Sequence, residues 1–200
     1  DKGLAGALNN SVIKRVEREI AERQLDKKDI IIVAMGRRGG DYFITRGYDV
    51  REKYENMSDS VSEEEMQAIT GKILAWHAQG DFGRSFIVFT HFKNTFEQTP
   101  DVRQIIPISK PEGVHATYTI EPEAEEVVNT LLPKLLNISV FHALLESKAS
   151  EHSARMVAMK SATDKAKDMV KSYTRLFNKV RQAAITREVS ELTSGIEAMK

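Results

Sequence analysis

The sequence predicts a small α/β domain with a Rossmann-like, mostly parallel sheet, followed by one long coiled-coil helix. Three observations predict it. A short unbroken apolar run, Ile30–Met35, and a second strand-like stretch, Ser85–Phe92, are separated by stretches of helical periodicity. From Lys134 to Met199 the only helix breaker is Gly195. That same stretch carries apolar residues at a sustained spacing of 3.5, the period of a left-handed supercoil.

The elements follow in chain order. In Ser11–Gln24 the apolar Val12, Ile13, Val16 and Ile20 recur at spacings of three and four with charges between them, which predicts an amphipathic helix. "IIIVAM", Ile30–Met35, reads as a strand buried on both faces. "GRRGG" after it reads as a turn, with a short helix near Asp41–Arg46 and a more polar strand over Tyr48–Tyr54. Ser62 and Glu65 form a capping-box pattern, opening a helix that runs to Gln79 and stops at Gly80. "SFIVFTHF", Ser85–Phe92, is the second buried strand. Strand, helix, strand, helix, strand is the order of a parallel α/β unit. Glu97–Tyr118, broken by Pro100, Pro107 and Pro111, reads as irregular or antiparallel structure at a sheet edge. Pro122 suits the first turn of a helix. The domain division is therefore residues 1–120 for the α/β part and 121–200 for the helix. The opening at Asp1, without a leading Met, suggests that a first strand and a longer N-terminal segment precede it.

The long helix is about 66 residues, or ~100 Å at 1.5 Å per residue, far beyond ordinary globular helices. Counted by sevens, one seam position holds Ala149, Met156, Thr163, Val170, Phe177 and Ala184; the other holds Leu145, His152, Met159, Ala166, Tyr173 and Val180. At Ala184–Ile185 the seam shifts by one residue and continues through Val189, Leu192, Ile196 and Met199. No other stretch of this chain has a matching stripe, so the seam is expected to bury against a preceding segment or another protein.

Composition sets limits on chemistry. The chain is 41% hydrophobic and 29% charged with a formal net charge of zero, which argues against nucleic-acid binding driven by overall charge. Charge is uneven, however: between Lys134 and Arg187 eleven Lys and Arg residues face four acids. A basic rod of this kind fits a solvated face or an acidic protein surface better than a nucleic acid, because its basic residues do not cluster with aromatics in one short reading surface. Absence of cysteine removes disulfides, thiolate metal sites and a Cys nucleophile. The five histidines form no HxH or HxxxH pair, so no metal is expected. Glu63–Glu65 lies in a first helical turn, where capping explains it better than a carboxylate site. "DKGLAGALNN" and "GRRGG" match neither GxGxxG nor GxxxxGK[ST], and structural turns explain their glycines. No catalytic residue and no cofactor is expected. The competing reading is a nucleotide-binding α/β protein with a coiled-coil oligomerisation helix.

"DKGLAGALN" at Asp1, "ASEHSARMVAMKSATDKA" from Ala149 and "NKVRQAAITREVSELTSG" from Asn178 together resemble, in order and spacing, the signature blocks of the gamma subunit of F-type ATP synthase. The resemblance implies a non-catalytic central-stalk shaft that couples rotation of the c-subunit ring to conformational cycling of the beta catalytic sites. Its implied partners are the alpha and beta subunits of the catalytic hexamer, the epsilon subunit, the c-subunit ring and the shaft's own N-terminal helix, with no nucleic acid. The resemblance makes Arg155, Arg181, Gln182, Thr186, Glu188 and Glu191 contacts with the beta subunit. It departs from the family at Val180, where a small residue is usual, at Arg187, where Gln is usual, and at "KSATDKA". It also implies a peripheral place at the cytoplasmic face of a bacterial plasma membrane.

Overall fold

The structure is a computed structural model that describes residues 3–57, 61–108 and 124–199, with side chains in the last segment from residue 130 onward. The chain divides into two compact units, Asp1–Val157 and Ala158–Lys200. Described elements run α1 (Leu8–Glu22), β1 (Ile31–Met35), α2 (Arg37–Thr45), β2 (Asp49–Tyr54), α3 (Glu63–Ala78), β3 (Ser85–Phe92), β4 (Gln98–Ile106) and α4 (Ala124–Ala198). The architecture is a small parallel sheet with helices and a long C-terminal helix.

In the first unit the strands form two pairs. β1 and β2 are parallel, Ile31 opposite Asp49 and Met35 opposite Tyr54, with a register shift between Ile32 and Val33. β3 and β4 are antiparallel, Phe86 opposite Gln104 and Phe92 opposite Gln98. Parallel pairing is thus confined, among the described residues, to β1–β2. The expected third parallel strand, β3, instead takes its neighbour through a tight hairpin. Asn94 explains this locally: its Oδ1 accepts from the amides of Phe96 and Glu97, both at 2.9 Å, which closes the turn and sends the chain back beside β3.

α1 lies against β3 and β4, burying Ile13, while α2 lies against β1 and β2, burying Phe43. Tyr42 Oη donates to Glu17 Oε1 at 2.6 Å, joining the two helices. "GRRGG" is a helix start rather than a turn: Gly36 (φ 128°) takes the N-cap position and Arg37–Gly40 forms the first turn of α2. α3 opens on the expected capping box, Glu65 N–H donating to Ser62 Oγ at 3.1 Å and the Ser62 amide to Glu65 Oε2 at 3.3 Å. It ends at Gly80, whose φ of 83° favours a residue without Cβ.

The main core joins three elements that are distant in sequence. Met66, Ile69 and Ile73 of α3, Ile105 and Ile106 of β4, and Leu136 and Val140 of α4 are buried together. This is why the first unit extends to Val157: the early part of α4 is a wall of the α/β core. α4 begins earlier than Lys134 and carries Pro133 inside it. The expectations for Pro111, Pro122 and the end of the edge segment lie outside the described residues. In the second unit, Ala158–Lys200, the described chain is helical to Ala198 and every residue from Met159 to Met199 is exposed.

Candidate functional site

In the first unit α4 carries two stripes. Leu136, Val140, Ala143 and Ser150 are buried and Ser147 is half-buried, a run spaced 4, 3, 4 and 3. They face the α/β core because this spacing keeps residues on one side of a helix. Leu145, Ala149 and His152 each stand two residues after a member of that run, and all three are exposed. Two residues turn a helix by about 200°, so the second stripe lies on the side away from the core.

The docked stripe becomes polar as it passes β3. Glu146, with its side chain 14% exposed, accepts from His91 Nδ1 at 2.5 Å and from His142 Nδ1 at 2.9 Å. It also accepts from the Phe92 amide at 3.3 Å. Burial pushes its carboxyl up, but the hydrogen bonds from His91 and the Phe92 amide outweigh that and hold it below the ordinary carboxylate value. Ser147 Oγ accepts from the Thr90 amide at 3.3 Å, and Ser150 Oγ donates to the Thr90 carbonyl at 3.3 Å. Lys148 Nζ reaches the Met57 carbonyl at 2.8 Å. None of these contacts was anticipated. The available signal was the second 3–4 spacing running through small residues, which the more apolar heptad stripe overshadows.

All twelve heptad positions, from Leu145 and Ala149 through Val180 and Ala184, are exposed in this chain. Met156, Val170, Tyr173, Phe177 and Val180 are 57–65% exposed, large apolar side chains on helix that the described residues leave uncovered. Thr163 fits such a stripe because its hydroxyl is satisfied by the Met159 carbonyl at 2.9 Å.

Arg181, Gln182, Thr186, Glu188 and Glu191 are exposed on the helix of the second unit. Arg155 belongs to the first unit and is half-buried; it pairs with Glu151 and donates from Nε to the Gly3 carbonyl at 3.4 Å. The structure therefore does not group Arg155 with the other five. Among the described residues no cluster of His, Asp and Glu could hold a metal ion.

The chain that carries this helix is similar in sequence to known proteins across its whole length. The sequence profile described as ATP synthase matches residues 1–199. The chain is 38% identical over 202 residues to the ATP synthase gamma chain of Chloroflexus aurantiacus, covering 100% of this chain and 70% of that one. The gamma chain of Staphylococcus saprophyticus is 34% identical over 205 residues, with coverage of 100% and 71%. The chain belongs to the ATP synthase gamma family. The fold agrees. A central-stalk and c-ring structure of the Tetrahymena thermophila mitochondrial ATP synthase contains a chain with a TM-score of 0.64 and 25% identity, covering 82% of this chain and 72% of that one. A Euglena gracilis mitochondrial ATP synthase structure contains another, with a TM-score of 0.72 and 20% identity, covering 100% and 70%. As a member of the gamma family the chain is a central-stalk subunit of an enzyme complex that makes ATP. No described helix is long and apolar enough to cross a membrane.

Proposed function

We propose that this gamma-family chain is a non-catalytic rotor shaft, which couples rotation of a c-subunit ring to conformational cycling of the beta catalytic sites. The observation that carries the reading is the exposed 3.5-period stripe from Leu145 to Ala184, running on past the region where α4 docks. Such a stripe is half of a coiled coil, and its other half is the shaft's own N-terminal helix. At ~1.5–3 kcal/mol for each large apolar side chain fully buried, pairing supplies the stiffness that a lone helix lacks.

Arg181, Gln182, Thr186, Glu188 and Glu191 then meet the beta subunit within a hexamer of alpha and beta, and Arg155 contributes lower on the shaft. The basic excess of α4 suits acidic loops of a surrounding collar, because complementary charge favours close approach. The α/β unit meets the epsilon subunit and the c ring at the cytoplasmic face of a bacterial plasma membrane. Assembly of a complete gamma chain carrying Arg181→Ala and Gln182→Ala tests the tip contacts. Reduced ATP synthesis at unchanged assembly is the expected result; wild-type synthesis would remove these residues from the coupling path.

A further inference from the structure

The contact between α4 and the outer edge of β3 has a mechanical meaning. Thr90 stands opposite Pro100 at a position of the antiparallel pair where its amide and its carbonyl both point away from β4, towards α4. Here β3 meets helix side chains in place of another strand. The Thr90 amide donates to Ser147 Oγ, the Thr90 carbonyl accepts from Ser150 Oγ, and the Phe92 amide donates to Glu146 Oε2, each at 3.3 Å. His91 of β3 and His142 of α4 hold the same Glu146 carboxylate at 2.5 and 2.9 Å. Ser150 is fully buried, so water does not compete for its hydroxyl.

Two kinds of contact hold α4 to the α/β unit, and they resist different motions. Leu136 and Val140 bury apolar surface against Met66, Ile69 and Ile106, an attraction without direction that opposes separation but yields to rolling and sliding. Hydrogen bonds weaken steeply off axis and therefore oppose rotation of the helix about its own axis. We infer that Glu146, Ser147 and Ser150 are positioning residues forming a torsional lock, through which torque passes between the α/β unit and α4. The inference rests on the rotor-shaft reading and adds to it the place where the load crosses from sheet to helix.

The test uses an assembled ATP synthase containing the complete gamma chain with Ser147→Ala and Ser150→Ala, changes that remove two hydroxyls and little volume. Hydrogen exchange of the Thr90 amide is expected to rise about two- to tenfold, the worth of one net hydrogen bond. ATP hydrolysis persists while fewer protons are pumped per ATP, and Ser147→Thr, which keeps the hydroxyl, behaves as wild type. Should the double variant fail to assemble, Ser147→Ala alone, with buried Ser150 intact, is read in the same way. Accelerated exchange at Thr90 with unchanged protons per ATP overturns the lock and leaves the shaft reading standing. Unchanged Thr90 exchange overturns it as well. Failure of the unaltered complex to couple at all would instead count against the shaft reading.

Discussion

Replacing Leu136 with Ala tests whether α4 is a wall of the α/β core or only a helix that starts beside it. Leu136 is 4% exposed and shares its cluster with Met66, Ile69, Ile73 and Ile106. Truncation removes three buried carbons, about 2.4 kcal/mol at ~0.8 kcal/mol each. Incomplete collapse of the cavity brings the total to about 3 kcal/mol, within the usual range for buried Leu→Ala changes. Leu135, the preceding residue, is 50% exposed, so Leu135→Ala should cost about 0.5 kcal/mol or less. The two changes are identical in chemistry and in helix propensity, and only the face differs. Urea unfolding reads the difference: with a slope of about 2 kcal/mol per molar, the Leu136 midpoint falls by ~1.5 M while the Leu135 midpoint hardly moves. Equal shifts in the two variants would refute the docked-stripe geometry.

Three further outcomes follow from local features. Glu146 has a folded-state carboxyl held below its ordinary value. It therefore contributes stability that is fully present above the unfolded value, about 4.3, and is lost as pH falls through the lower folded one. In urea titrations across the acid range, Glu146→Gln should flatten this part of the stability profile; an unaltered slope would show that the carboxylate is not linked to folding. Ser62→Ala removes the acceptor for the Glu65 amide and should destabilise by about 1 kcal/mol, with Ser62→Gly costing less. Gly80→Ala places a Cβ at φ 83° and should lower the thermal midpoint, whereas Gly71→Ala, inside α3 with open space around its Cβ, should raise it.

What the residues disclosed in advance was whatever local chemistry decides. The Ser62–Glu65 box, the stop at Gly80 and the apolar runs of β1 and β3 depend on neighbours within a few positions, and each appears in its expected place. Strand pairing was less legible because it depends on which edges meet. The hairpin between β3 and β4 hangs on Asn94, whose turn-closing hydrogen bonds a reading of apolar periodicity overlooks. "GRRGG" misled because two of its glycines, Gly39 and Gly40, lie within helix. Gly40 lies under the Lys53 side chain: a Cβ on it would stand 2.3 Å from Lys53 Cδ, so that side chain would have to shift. The Glu146 cluster was invisible because His91 and Glu146 are 55 residues apart.

The second stripe of α4 was legible in principle, and so was the way it ends. Followed at alternating steps of four and three from Leu136, it reads Val140, Ala143, Ser147, Ser150, Ala154 and Val157, then Ser161, Asp164, Asp168, Lys171 and Arg175. Apolar and small residues give way to charged ones beyond Val157, the residue at which the first compact unit ends. The heptad stripe shows no such change there, continuing through Met159, Val170, Tyr173 and Phe177. On the proposed shaft reading, a helix that packs against two neighbours in its first part needs to satisfy only one in its second. Positions released from packing are free to carry charge, and Asp164, Asp168, Lys171 and Arg175 occupy the released stripe, two acids and two bases. Charge enters the docked stripe where the docking obligation stops, so the length over which α4 has to fit the α/β core sets both the burial pattern of the helix and the point at which that stripe turns polar.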